Sequence, residues 1–299
     1  MTKNPFQRIL PYLLVLPTFL FVVVFTLYPV TRTVLDSTLQ PARRASEPST
    51  FVFLDNYADL FNQAHYLGAR FVQVLGNTLA FTTFTVLFSV PLALLFALLL
   101  NRQVQGLGFL RFSIFYPTLL PLIGAASIWA FFYSDTIGLF NTILRSLGFA
   151  SVNWLGDPNT VLYAILIMNV WKQSSYYMIF YLAGLQNIPR DIYEAAELDG
   201  AGWLYQLIYI TIPLLRRTTL FVAVVAMTFT FQTVEQLQVM NQGNPADRGN
   251  LLLYFIFQNI SERRNWGYIN AMSVILVLIL LVFTLLNFVF LERRDDAKA

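Results

Sequence analysis

Charge is scarce in this chain of 299 residues: only 12% are Asp, Glu, Lys or Arg, about half the share of an ordinary soluble domain. With 57% hydrophobic residues alongside, that scarcity excludes a water-soluble globular fold and places the chain in a bilayer. Cysteine is absent and histidine occurs once, at His65, which removes disulfide scaffolds, thiolate metal sites and histidine-rich metal centres. The net charge is only +3 and the basic residues are scattered, so no nucleic-acid partner is expected. No GxxxxGK[ST] phosphate cradle is present, and the chain cannot hydrolyse ATP alone. Asp36, Asp55, Asp59, Asp135 and Asp157 are spread along the chain without DxD-like clustering, which argues against a membrane-embedded enzyme acting on lipid-linked or phosphorylated sugars. His65, beside Tyr66 in a loop, reads as an ordinary surface residue.

What is present is a series of long apolar segments. Crossing the hydrocarbon layer takes roughly 20 mostly apolar residues in a helix, and six segments qualify: about Ile9 to Val30, Phe71 to Leu100, Phe112 to Tyr133, Val161 to Leu185, Thr218 to Val239 and Tyr268 to Leu291. The expected fold is therefore an all-α integral membrane protein with about six transmembrane helices, built as a single domain over residues 1–299. The N-terminal apolar run is too long for a signal core and lacks a small-residue cleavage site, so it reads as a retained helix.

Lys and Arg set the expected orientation. Ten of them (Lys3, Arg8, Arg102, Arg111, Arg190, Arg216, Arg217, Arg293, Arg294 and Lys298) fall on the side that holds both termini, and Lys172 lies inside a span. That excess puts both termini in the cytoplasm. Arg43 and Arg44 belong to a long outer loop that also carries acids.

Two of the segments cannot face lipid all round. The fourth is interrupted by NVWKQSSYY, residues 169–177, and the fifth ends in QTVEQLQ, residues 232–238. Asn169, Lys172, Gln173, Tyr176 and Tyr177 on the fourth, with Gln232, Glu235 and Gln236 on the fifth, offer the hydrogen-bonding and aromatic groups that a path for a polyhydroxylated solute needs. Helical spacing puts Asn169, Gln173 and Tyr176 or Tyr177 on one face, and Gln232, Glu235 and Gln236 partly on another. The same residues also suit helix-to-helix bonding, with Lys172 and Glu235 as an internal ion pair. Trp129, Trp154, Trp203 and Trp266 suit the membrane interface.

Between those two segments stands DIYEAAELDGAGW, residues 191–203, with four carboxylates. Pro189 fits the first helical position, Asp191 and Glu194 lie near the positive helix end, and Gly200 suits the stop, so a short helix of about three turns is expected. A second piece, WLYQLIYITIPLL, leads from the glycine turn into the fifth span.

The string Glu194, Ala195, Ala196, three residues, Gly200, nine residues, Ile210, one residue, Ile212, Pro213 resembles the EAA loop of ATP-binding-cassette importer permeases; Ile212 stands where leucine is usual. The resemblance covers nearly the whole chain and narrows to the carbohydrate-uptake branch, similar to the maltose-permease F-type subunits. It is carried by LDNYADLF (54–61), NTL (77–79), FYPTLLP (115–121), GLFN (138–141), WLGDP (154–158), VWK (170–172) and LAGLQNIPRDIYEAAELDGA (182–201). The chain departs from the family pattern at MNQGNPADRGN, residues 240–250, where Asn244 separates Gly243 from Pro245 and no threonine follows.

This resemblance implies a type I importer permease whose cytoplasmic coupling helix, within a loop at about residues 186–213, seats in a cleft of an ATPase subunit through Glu194, Ala195, Ala196, Asp199, Gly200, Ile210 and Pro213. It implies three kinds of partner besides lipid: a homologous second permease, two ATPase subunits that hold ATP and Mg, and an extracytoplasmic solute-binding protein that meets the loop after the fifth span. The implied location is the inner membrane and the implied cargo a sugar or oligosaccharide, with a sugar-like phosphate ester or polyol as the alternative. No cofactor or metal is implied on this chain.

Overall fold

The computed structural model describes residues 5–41, 48–101, 107–262 and 265–295. Lys3, Arg43, Arg44, Arg102 and Lys298 lie outside them, and the side chains of Arg8, Arg293 and Arg294 are likewise outside what is described. The chain divides into two compact units, Met1–Ala69 with Gln258–Val277, and Arg70–Phe257 with Leu278–Ala299.

The first unit begins with α1 (Pro5–Val22), a π-helical turn (Val23–Leu27) and α2 (Tyr28–Asp36), which together carry the first apolar run. Over Leu10–Asp36 its most apolar stretch buries none of its residues. A two-residue ribbon follows, β1 (Leu39–Gln40) antiparallel to β2 (Thr50–Phe51), and then α3 (Asp55–Phe61). The LDNYADLF motif explains this corner: the buried Asn56 donates to the carbonyls of Ser37 and Leu39 at 2.8 and 3.0 Å, while Tyr57 and Ser37 share a hydroxyl bond of 2.6 Å. His65 is not a free surface residue. Its Nε2 lies 3.3 Å from the hydroxyl of Tyr268, which donates to Asp59 at 2.8 Å.

In the second unit, α4 (Gly68–Leu100, entering from the first) and α8 (Val161–Gln186) form the spine. Two apolar clusters form around them. One gathers Phe81, Trp129, Tyr133, the first half of α8, Leu237 and Tyr254; the other gathers Val90, Ala93, Ala97, Tyr177, Tyr181, Leu185, Leu215 and Val222. α5 (Leu107–Leu119), α6 (Leu122–Phe132) and α7 (Leu139–Ser146) come between the two spine helices. The GLFN and WLGDP motifs meet after α7. Buried Asn141 donates to the Val152 carbonyl and accepts from the Val152 amide, both at 2.9 Å, and its carbonyl also accepts from the Trp154 indole at 3.2 Å. Trp129 and Trp154 also pack among Tyr133, Phe140 and Trp171.

Beyond α8 come α9 (Arg190–Leu198), α10 (Trp203–Gln206), a π-helical turn (Leu207–Thr211), α11 (Ile212–Leu214), α12 (Arg216–Phe231), α13 (Glu235–Met240), α14 (Leu252–Ser261) and α15 (Trp266–Asp295).

Three of the six expected spans are continuous apolar helices: Leu10–Asp36, Gly68–Leu100 and Trp266–Leu286. The third is broken, with Gly108–Leu119 and Leu122–Phe132 meeting at 105°. Pro121 lacks an amide donor and biases Leu120 away from helical backbone, so the chain turns there. The fifth also differs from expectation. It pairs Trp203–Leu214 with Arg216–Phe231 at 66° and ends at Phe231 rather than running on to Val239. α8, the fourth, is long enough to cross but too polar to count as an apolar span, and burial against its neighbours takes the place of lipid.

Close approach at Gly184 fixes the C-terminal end of α8. A Cβ there would lie 2.8 Å from Leu215 Cδ2 and 2.9 Å from Thr218 Oγ1, so a bulky side chain would push α8 off the bend that opens α12. Gly184→Val is expected to cost about 1–3 kcal/mol through overpacking, read as a lower Tm in detergent, with Gly184→Ala falling between the variant and wild type.

Candidate functional site

The EAA stretch forms α9, a helix of nine residues with none buried. Pro189, at φ −58° and ψ 138°, sits just ahead of the helix instead of in its first turn. The helix ends as the sequence requires. The amide of Ala201 donates to the Ala196 carbonyl at 2.9 Å, that of Gly200 to Glu197 at 3.0 Å, and Gly200 has φ +80°. This is a Schellman stop, in which the left-handed residue is glycine because any Cβ there is strained.

Glu194, Ala195, Asp199 and Gly200 are exposed, and Ala196 is half-exposed. Leu198 is 90% exposed between two acids, an apolar side chain that the charge pattern hid. The rear of α9 is braced: Tyr193 and Thr211 share a hydroxyl bond of 3.0 Å, and Gln206 donates to the Ala201 carbonyl at 3.0 Å. Ile210 lies half-buried in the π-helical turn, and Pro213 is exposed in α11. A cavity of about 260 Å³ separates these pieces from the C-terminal ends of α4 and α8, lined by Leu98, Asn101, Leu185, Tyr193, Glu197 and Trp203 among others.

The polar residues of the expected solute path fall into three environments. Asn169 is buried and donates to Thr85 Oγ1 of α4 at 3.3 Å, so it joins helix to helix. Gln173 is half-buried on α8. Tyr176 packs with Phe180 and Phe229, while Tyr177 is fully buried and its hydroxyl has no partner among the described residues. Gln232, Glu235 and Gln236 do not share a helical face. Gln232 caps the end of α12, Val234 precedes α13, and the break between them separates Gln232 from the other two; on α13 itself Glu235 is exposed and its neighbour Gln236 fully buried. Both amide atoms of Gln236 are without a partner among the described residues.

Lys172 is not paired with Glu235. Its Nζ donates to the carbonyls of Pro117 and Leu120 at 2.9 and 2.6 Å. These are carbonyls at the end of α5 and in the break, where the helix leaves acceptors unsatisfied and its dipole is negative. The VWK and FYPTLLP motifs are thus two halves of one contact. Sequence reasoning missed a polar stripe on α4: Thr78, Thr82, Thr85 and Ser89 are all buried. Their 4-3-4 spacing in NTLAFTTFTVLFS was the available signal. Thr82 and Ser89 hydroxyls have no partner among the described residues.

No family model matches the sequence. The trehalose/maltose transport system permease protein MalF of Thermococcus litoralis is 34% identical over 292 residues, 96% of this chain and 95% of its own. The chain belongs to the carbohydrate-uptake family of ABC transporter permeases. Within that family, the sn-glycerol-3-phosphate transport system permease protein UgpA of Agrobacterium fabrum is 33% identical over 291 residues, 96% of each chain. The fold is shared with a chain of the bacterial alginate ABC transporter solved with an alginate pentasaccharide-bound periplasmic protein. That likeness has a TM-score of 0.82 at 21% identity, over 97% of this chain and 96% of that one.

Lys172→Met leaves the two carbonyls of the broken segment without a donor. The expected loss is about 1–3 kcal/mol, seen as a lower Tm in detergent, with Lys172→Arg recovering much of it.

Proposed function

We propose that this chain is one of two permease subunits of an ATP-driven, binding-protein-dependent importer for a sugar or oligosaccharide, and that α9 is its coupling helix. The observation that carries the reading is a short, fully unburied helix, closed by Gly200 and braced from behind at the inner ends of α4 and α8. A helix so presented exposes Glu194, Ala195, Leu198 and Asp199 to a partner. The carboxylate of Glu194 suits a charge-assisted bond from a cation on an ATPase, and the alanines permit close seating. Two ATPase subunits holding ATP and Mg would supply the work, which α10 and the 66° bend pass to α12. Inside and outside then open in turn.

In this reading both termini and α9 are cytoplasmic, the loop after α13 faces the extracytoplasmic binding protein, and the membrane is the inner one. The chain is not itself an enzyme. The bare surface of Leu10–Asp36 supports coverage by lipid and by the second permease. Asn169, Gln173, Tyr176, Tyr177 and Gln236, together with Thr82 and Ser89, are the groups available to solute hydroxyls; hydroxyls and amides that lack partners when buried favour a state that gives them one. Lys172 belongs to the scaffold of the path rather than its lining. The glycerol-3-phosphate permease among the relatives favours a second reading, transport of a sugar-like phosphate ester.

The detergent-solubilised complex is expected to hydrolyse ATP. Glu194→Arg and Gly200→Val, the latter forcing a Cβ into left-handed backbone at roughly 1–2 kcal/mol, are expected to reduce that activity at least tenfold. Unchanged activity in both variants would sink the coupling role. Titration of the partner binding protein with oligosaccharides and with glycerol phosphate separates the two substrate classes.

A further inference from the structure

The motif-breaking turn MNQGNPADRGN is not a loose loop. Gln242, Gly243, Ala246 and Asp247 all have positive φ, between 46° and 80°, and three of the four are not glycine. Backbone of that kind is costly and persists only where neighbours over-determine it. Here the neighbours are on α4.

Arg70 donates from Nε to Asp247 Oδ2 at 2.6 Å and from Nη2 to Oδ1 at 3.1 Å, the two-pronged geometry that only a guanidinium supplies. The same guanidinium lies 5.1 Å from the centre of the Phe255 ring. Gln73 Nε2 donates to the Ala246 carbonyl at 2.8 Å. Asn77 Nδ2 sits among three carbonyls, those of Asp247, Arg248 and Asn250, at 2.8, 3.0 and 3.2 Å. Residues 70, 73 and 77 occupy one face of the first turns of α4. Inside the turn, Asn250 Nδ2 donates to Asp247 Oδ1 and Asn241 Nδ2 to the Asn244 carbonyl.

The turn follows α13 directly, so whatever holds it also holds the segment that carries Glu235 and buried Gln236. Its outward residues are Gln242, Asn244, Ala246 and Arg248, a polar rim with one cation, suited to the carbonyls and carboxylates of a folded protein surface rather than to lipid.

We propose that Arg70, Gln73 and Asn77 are positioning residues that clamp residues 241–250 into a preformed platform for the solute-binding protein, making α4 the helix that registers its docking. This rests on the importer reading above. None of the three need touch solute or receptor. They act by keeping the rim in its bound shape before the receptor arrives, which lowers the ordering cost of association.

The test uses the complete complex in nanodiscs, with phosphate release measured against increasing solute-loaded binding protein. Asp247→Asn and Asn77→Asp, the latter setting a carboxylate against three carbonyls, are expected to raise the half-stimulating receptor concentration at least fivefold. Basal and maximal rates should stay within twofold of wild type. Arg70→Lys, which keeps the charge and loses the fork, should lie between. If Asn77→Asp does not assemble, Gln73→Ala removes a single bond and should still raise the half-stimulating concentration about twofold.

An unshifted half-stimulating concentration in Asp247→Asn and Gln73→Ala overturns the clamp, as does a parallel fall in basal and stimulated rates, which marks a purely structural role. A wild-type complex that no binding protein stimulates overturns the importer reading and the clamp with it. A responsive wild type with unshifted variants overturns the clamp alone.

Discussion

One ammonium group holds the third apolar segment at its break. Pro121 makes the break, but a break in the membrane leaves carbonyls with no water to turn to. Lys172 reaches the Pro117 and Leu120 carbonyls from α8, so the two halves of the segment can meet at 105° and still be satisfied. The arrangement solves two problems together: the cation gains acceptors, and the broken helix gains a donor. α8 can therefore be polar through its middle, because its most expensive residue is already committed.

The same economy of polar contacts appears wherever a motif was visible but unexplained. GLFN and WLGDP lie apart in sequence and meet at Asn141. NTL supplies Asn77 to the turn after α13 and Thr78, whose hydroxyl accepts from the Leu252 amide at 2.8 Å. Lys172, Asn141 and Asn77 each hold a backbone that has left regular helix. In a medium without competing water, such a residue cannot be replaced by solvent, and its partner is usually far away in sequence.

That distance explains what could and could not be read beforehand. The first, second and last spans follow from hydropathy alone, and α9 follows from its cap signals, since every residue that ends it is within five positions of Gly200. The two bends were not legible as bends: proline marks where a helix is weak, but whether it kinks or stops depends on a neighbour such as Lys172. Gln232, Glu235 and Gln236 were read on one helix because the apolar window ran through them, yet Val234 leaves helical backbone at φ −132°. His65 looks inert in the sequence because its partner Tyr268, whose hydroxyl also donates to Asp59, lies near the other end of the chain.

α4 contains Pro91, which denies the Leu87 carbonyl its intrahelical partner. Roughly 30 Å of helix lies between Asn77 at the clamped end and Leu98 at the cavity behind α9, and this weak point falls in that interval, after the buried Thr82, Thr85 and Ser89. Asn77 and Leu98 are nevertheless carried by one uninterrupted helix, so the hydrogen bond omitted at Pro91 marks where that helix bends most readily without any turn unwinding.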